Sequence, residues 1–316
     1  MTAAVTQPLS REDFARLAEP FRDELLAHCY RMLGSRHDAE DQVQETLLRA
    51  WRSAGTFEGR AALRTWLYKI ATNACLRALE TRARRPLPAG LGEIPWLEPF
   101  PESRRPRADP ADPASVVAAR ADLRLALIAA LQLLPARQRA VLILRDVLGW
   151  RAAEVAGLLG TSAAAVNSML QRARAQLGDA APARDQIREP ADPRDQDLVA
   201  RYAAAFAAAD VAGLTALLTA DAVFEMPPEP ARFAGRAAIG AFLAARVLTA
   251  PGRFALVPAA ANGQPALAAY ELRPDGAFQA EALQVLTITG GQVARVTAFR
   301  MPELFEAFGL PVRLAG

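Results

Sequence analysis

In the stretch "AAAVNSMLQRARAQL", residues 163–177, Val166, Leu170, Ala173 and Leu177 recur at helical spacing. They predict one apolar stripe on a helix. Ser168, Gln171 and Arg172 then project from the opposite face, with Asn167 and Arg174 flanking it. That face offers hydroxyl, amide and guanidinium groups and no acid. Such groups hydrogen-bond base edges and grip phosphates in a major groove. The small residues Ala163–Ala165 let the start of the helix approach a duplex closely. The plainer alternative is a helical hairpin with a merely solvated face, and the absence of acids weighs against it.

A second stripe lies further forward. On a helix predicted over 63–81, Leu67, Ala71, Ala74 and Ala78 form an apolar face. Trp66, Lys69, Asn73, Arg77 and Glu80, spaced 3, 4, 4 and 3, form another. An aromatic, an amide and cations on one stripe suit single-stranded nucleic acid, since bases stack on rings while cations follow the backbone. By itself this pattern also fits a core tryptophan beside an ordinary wet face.

These residues need elements to hold them. "RAAEVAGLL", the turn "GTS" and the helix of 163–177 together read as a helix-turn-helix. Pro135 starts the helix before it, "ARQRAVLILRDVL", and a helix is expected from Val116 to about Leu134. Residues 12–33 read as one helix, with Phe14, Leu17, Phe21, Leu25 and Cys29 on its apolar face. Gly34 and Ser35 end it, and Asp38 is the expected cap of the next helix, which runs to about Trp51. Between the two helical regions, residues 86–114 hold eight prolines. Within them "EIPWLEPFPE" carries Trp96, Leu97 and Phe100, an apolar cluster unlike a solvated linker.

After a second break at 179–193 the pattern changes. Two helices, at about 194–209 and 211–219, precede five strand-like segments: "AVFEM", "RFALVPA", "PALAAYEL", "FQAEALQVLTIT" and "QVARVTAFR". Gly290–Gly291 marks a hairpin turn between the last two, and "PELFEAFG" reads as a short closing helix. Helices followed by a mostly antiparallel sheet indicate an α+β domain.

The bulk numbers agree with several domains: 316 residues, 52% apolar. Residues 1–180 hold 25 Lys/Arg against 20 Asp/Glu, and the remainder 12 against 14. The front is therefore the candidate for a polyanion partner. Lys69 is the single lysine, a bias that a GC-rich genome explains better than phosphate binding does. Cys29 and Cys75 sit in apolar helical patterns, which suggests a reducing compartment. With no apolar signal core and no membrane-length apolar run, a cytoplasmic protein without membrane contact is expected.

Three segments together are specific: "RHDAEDQVQETLLRAWR", "LRTWLYKIATNACLRALETRARR" and "LLPARQRAVLILRDVLGWRAAEVAGLLGTSAAAVNSMLQRARAQL". They closely resemble a bacterial RNA polymerase sigma factor of the extracytoplasmic-function group, over about residues 12–178. The resemblance implies two all-α sigma domains and promoter DNA and core polymerase as partners, with contacts to the β′ coiled coil and the β flap. Asp38, Asp41, Val43, Gln44, Glu45, Leu47 and Trp51 would dock on the β′ coiled coil. Trp66, Lys69, Asn73 and Arg77 would face the opened −10 element. Ser162, Asn167, Ser168, Gln171, Arg172 and Arg174 would read the −35 element. Arg151 stands where relatives often carry a Ser or Thr N-cap, which predicts a looser start to that helix at a cost of about 1 kcal/mol.

The C-terminal part resembles the SnoaL-like branch of the NTF2-like fold, a cone-shaped curled sheet closed by helices. The resemblance rests on "LTADAVFEMPPEPARFAGRAAIGAFL", "ANGQPALAAY" and "LTITGGQVARVTAFRMPELFEAFGLP". The expected organisation is 1–85 (core polymerase and −10), a linker at 86–115, 116–180 (−35), a linker at 181–193, and a regulatory domain at 194–316. Related extended sigma factors carry a Trp-Leu-Pro/Glu motif at the first linker. Trp96, Leu97, Glu98, Pro99 and Phe100 are therefore read in one of two ways. One is a plain tether tracking the polymerase RNA-exit channel. The other, since exposed Trp96, Leu97 and Phe100 would cost solvation, is a latch onto the C-terminal or first domain.

Catalysis on this fold uses acid–base groups in the pocket. The candidates here are Asp221, Glu225 and Glu271, with Tyr202 and Tyr270 as donors, and they form no spacing motif. Asp221 is read as a turn residue, and Glu225 as alternating with Val223 across a pleat. The extension is therefore expected to regulate, without cofactor or metal; a small molecule in its pocket is a candidate partner. Two other readings remain: a helix-turn-helix regulator sensing such a ligand, which leaves 12–85 without a role, and an enzyme fused to a DNA-binding module, which lacks a catalytic constellation.

Overall fold

The computed structural model describes residues 11–57, 62–83, 97–178 and 193–315. The chain forms two compact units, one from the described residues within 1–87 and 104–181, the other from those within 88–103 and 182–316.

The first unit is helical. Its front helices are α1 (Arg11–Ala18), α2 (Arg22–Leu33), α3 (Arg36–Arg52) and α4 (Leu63–Ala83). The single helix expected over 12–33 is interrupted by a 3₁₀ turn, Glu19–Phe21, containing Pro20, because proline lacks the N–H that the helix requires. The interruption leaves Leu17 exposed, off the apolar face assigned to it. Gly34, at φ 76°, closes α2 by donating its N–H to the Tyr30 carbonyl. Ser35, not Asp38, caps α3: its hydroxyl accepts the Asp38 N–H at 3.1 Å. The core joins Leu25, Leu26, Cys29 and Met32 of α2 to Val43 and Ala50 of α3 and to Leu67, Ala71, Ala74 and Cys75 of α4.

The helix expected over 116–134 is two helices, α5 (Pro113–Arg120) and α6 (Leu125–Gln132). Asp112 caps α5 by accepting the Ala114 N–H. The break follows from partners distant in sequence. The fully buried Arg31 guanidinium of α2 takes the Ala121 carbonyl at 3.1 Å and the Asp122 carbonyl at 3.4 Å. Arg64 of α4 bridges buried Glu24 (2.8 Å) and Asp112 (2.6 Å). Helix α5 is thus strapped at both ends to α2 and α4. Beyond it come α7 (Ala136–Leu142, continued by a π turn to Val147), α8 (Ala152–Leu159) and α9 (Ala163–Leu177).

The second unit is α+β. Helices α10 (Pro193–Ala207) and α11 (Val211–Ala216) precede β1 (Leu218–Glu225), β2 (Arg232–Ala234) and α12 (Arg236–Phe242). Then follow β3 (Phe254–Ala261), β4 (Gln264–Leu272), β5 (Phe278–Thr289), β6 (Gln292–Phe299), α13 (Leu304–Ala307) and β7 (Arg313–Leu314). The sheet order is β2-β1-β6-β5-β4-β3, with β7 on β5; β1 and β6 are parallel and every other pair is antiparallel. Register shifts interrupt the β4–β5 and β5–β6 ladders, the kind of irregularity that bends a sheet. Tyr202 and Phe206 of α10, Leu214 of α11 and Ile239 of α12 pack with Phe224, Leu267, Leu286 and Val296 of the sheet. Gly290 and Gly291, at φ 59° and 77°, make the expected hairpin turn. The short strands β2 and β7 carry too few alternating positions to be seen in the sequence.

Candidate nucleic-acid interface

The stripe on α4 becomes half of a cavity. Trp66, Ile70, Asn73 and Arg77, at i, i+4, i+7 and i+11, face Arg49, Arg52 and Ser53 from the end of α3. Together they line an open pocket of about 480 Å3. Trp66 is held by two rings, Phe57 at 5.1 Å and Phe14 edge-on at 6.3 Å. Its position is therefore set by packing before any ligand arrives. An aromatic wall, an amide and three guanidinium groups suit a base with its phosphate. Lys69 does not line this cavity; Arg49, Arg52, Ser53 and Ile70 do. The expected stripe missed them because three come from the neighbouring helix, and no single-helix periodicity reports a cross-helix pair.

Helix α3 presents a different face. Asp41, Gln44, Leu48 and Trp51 recur at spacings of 3 and 4, and all are exposed, Leu48 by 41% and Trp51 by 37%. Two large apolar side chains on a wet stripe suit a docking surface. Val43, expected on that surface, is 3% exposed and belongs to the core; Leu48 holds the place given to it. Glu45 and Leu47 flank the stripe half-buried, Glu45 paired with Arg49. Asp38 lies half-buried in the first turn.

In the helix-turn-helix, Val166, Leu170, Ala173 and Leu177 are buried, while Asn167, Ser168, Gln171 and Arg172 are exposed. Ser162 caps α9, its hydroxyl accepting the Ala165 N–H at 3.1 Å, so that group is occupied structurally. Arg174 is also occupied: it forms a two-pronged pair with Asp146, at 2.8 and 2.6 Å. Asp146 raises its pKa through the hydrogen bonds and the ion pair. The face expected to be free of acids therefore has one at its flank, supplied by the π turn after α7. Arg151 cannot accept a capping bond, but Glu154 reaches back to its N–H at 2.7 Å, supplying the return arm of a capping box at the start of α8.

In the second unit the linker cluster finds its partner. Leu97, Pro99 and Phe100 are buried and Glu98 is half-buried; Trp96 lies outside the described residues. Asn262 and Gly263 form the β3–β4 turn, at φ 58° and 69°, the primed geometry of a tight hairpin. Hairpin tips are ordinarily wet, yet Asn262 is buried. Its side-chain oxygen accepts the Phe100 N–H and its N–H donates to the Phe100 carbonyl, both at 2.8 Å. Gly263 donates to the Glu102 carboxylate at 2.9 Å, and Pro101 bridges to Ala261.

Of the acid–base candidates, Glu225, Glu271, Tyr202 and Tyr270 have structural partners, and Asp221 is exposed. Asp221 lies within β1, not in a turn. Val223 and Glu225, two residues apart, share the half-buried side of β1, opposite Phe224. Glu225 accepts from Arg295 at 2.8 Å and Thr297 at 2.9 Å, and Glu271 pairs with Arg253 and Arg273. The Tyr202 hydroxyl donates to Gln284 at 3.0 Å and the Tyr270 hydroxyl to the Pro311 carbonyl at 2.9 Å. Burial pushes both phenols above their ordinary pKa.

Three family descriptions match the chain: Sigma-70 region 2 over residues 17–85, Sigma-70 region 4 over 124–177, and a SnoaL-like domain over 199–296. The ECF RNA polymerase sigma factor SigG of Mycobacterium tuberculosis is 50% identical over 317 aligned residues, covering 95% of this chain and 85% of that protein. SigJ of the same species is 37% identical over 207 residues, 65% of this chain and 62% of that one. The crystal structure of M. tuberculosis SigJ superposes with a TM-score of 0.60 at 28% identity, covering 94% of this chain and 99% of that one.

Proposed function

We infer how this chain divides its work from a premise now in hand: it belongs to the extracytoplasmic-function RNA polymerase sigma factors. As such it binds core polymerase and directs it to promoter DNA, and it carries a SnoaL-like extension. In our reading, the stripe Asp41, Gln44, Leu48 and Trp51 docks on the β′ coiled coil of the polymerase. The cavity of Trp66, Asn73 and Arg77 takes a base of the strand-separated −10 element, and Lys69 follows the backbone outside it. Ser168, Gln171 and Arg172 read the −35 duplex, with Asn167 beside them, while the helix-turn-helix half meets the β flap. Arg174 and Ser162 serve α9 itself.

The observation that carries this reading is the pairing of two distinct faces on one chain. One is an open aromatic–guanidinium pocket between α3 and α4; the other is an exposed polar face on α9. A ligand-sensing regulator needs only the second. We read the extension as regulatory and non-catalytic, because Glu225 and Glu271 are held in ion pairs and Tyr202 and Tyr270 in hydrogen bonds. A small molecule remains a candidate effector there, and the cytoplasm is the compartment where polymerase would be met. Run-off transcription with purified core polymerase tests the function. The full chain should start transcripts at a cognate promoter, and Gln171→Ala with Arg172→Ala should abolish them. Tight, specific duplex binding by the protein alone, without polymerase-dependent transcripts, would favour the regulator.

A further inference from the structure

The helix-turn-helix half of the first unit meets the front helices through buried arginines. Arg139, in the last turn of α7, is 4% exposed. Its guanidinium donates to the Met32 carbonyl at the end of α2, to the Gln132 side-chain oxygen at 2.6 Å, and to the Gln132 and Leu134 carbonyls at 2.8 and 3.0 Å. Gln132 in turn donates to the Arg31 carbonyl at 3.2 Å. The last turn of a helix leaves carbonyls without helical partners; here Gln132 and Arg139 of the other half supply them. Gly34 fits tightly on the same spot, since a Cβ there would lie 2.9 Å from the Gln132 side chain. Arg31 fastens the chain between α5 and α6 from the other direction. Tyr68 of α4 and Trp150 before α8 meet edge-to-face at 6.2 Å.

We propose that Arg31, Gln132 and Arg139 form a clasp that shuts the helix-turn-helix half on the front helices, and that loosening it raises the protein's activity. The physical reason lies in the type of partner. Arg139 donates to neutral carbonyl and amide oxygens, and Arg31 donates to the Ala121 and Asp122 carbonyls with the Asp122 charge also acting on it. Burying a cation costs desolvation, and an anionic oxygen is a stronger partner than a carbonyl. A polyanion therefore competes well for these arginines once the halves separate. A shut body also fixes the distance between the α4 cavity and α9, whereas a protein engaging two elements of a duplex gains from setting that distance on the DNA.

The test uses the full chain with spin labels at His37→Cys on α3 and Ala175→Cys on α9, both exposed positions, and reads the distance distribution. Arg31→Leu and Arg139→Leu cut the clasp from opposite sides, so agreement between them separates a clasp from damage to one half. Each should add a longer-distance population and raise transcript yield severalfold at limiting protein. If either variant loses its helical signal, Gln132→Ala makes the same test without removing a cation. Unchanged distances in folded variants would overturn the clasp, and longer distances with no gain in transcripts would overturn its role in activity. The transcript arm rests on the sigma-factor reading. If the parent chain makes no transcript, that reading fails while the distances still decide the clasp.

Discussion

The buried His28 has a defined place in the first unit. Its Nε2–H donates to the Thr72 hydroxyl at 2.9 Å, because that hydroxyl already donates to the Tyr68 carbonyl at 2.8 Å. Burial pulls its pKa down to about 3, and Arg31 adds to the effect. The unfolded chain takes up this proton below about pH 6.5. Between those values the unfolded chain holds more protons, so stability falls as pH drops through the window and levels off below it. The expected slope is at most about 1.4 kcal/mol per pH unit. Denaturant midpoints across pH 7 to 4 should show it, and His28→Gln should flatten it; parallel loss in both proteins would refute the assignment. At Arg174 the question is charge. Asp146 holds its guanidinium, so Asp146→Asn frees one cation beside the DNA face. Duplex binding should then steepen in salt dependence by about one phosphate contact. An unchanged slope would mean that Arg174 stays clear of the backbone.

Helices α9 and α4 were legible because their buried stripes repeat every three to four residues, and β5 because a long strand ends at a Gly-Gly turn. The break at Ala121–Arg124 was not, since it depends on Arg31, ninety residues away in sequence. The cavity was half legible: α4 shows Trp66, Asn73 and Arg77, but Arg49 and Arg52 reach it only through packing. The linker cluster announced a partner by its composition without naming it. That partner is the Asn262–Gly263 turn, 162 residues from Phe100, and nothing local to either segment encodes the pairing. Asn262→Ala removes the acceptor of the buried Phe100 N–H, which should cost the second unit about 1–3 kcal/mol. Urea unfolding with limited proteolysis around residues 97–103 measures it. A neutral substitution with no new cleavage would return the segment to a plain tether.

The same segment shapes what can be expected of the whole molecule. Residues 97–103 sit in sequence between α4 and α5, which both belong to the first unit, yet they pack in the second. The extension thus holds the middle of the connection between the two sigma domains. Ending the chain at about Arg184 removes the site where Leu97 and Phe100 are buried. Burial of a Phe or Leu side chain contributes roughly 1.5–3 kcal/mol, so the shortened chain should expose apolar surface, bind a hydrophobic dye and change its promoter activity. Identical behaviour of the two lengths would end the regulatory reading of the extension.

The central claim, that one chain reads opened and duplex promoter DNA with two separate faces, is tested most directly by sequencing promoter fragments retained by reconstituted holoenzyme. The parent chain should select two separated sequence blocks. Trp66→Ala with Asn73→Ala should relax the downstream block alone, and Gln171→Ala with Arg172→Ala the upstream block alone. A single block, relaxation of the same block by both pairs, or the same selection without polymerase would contradict it.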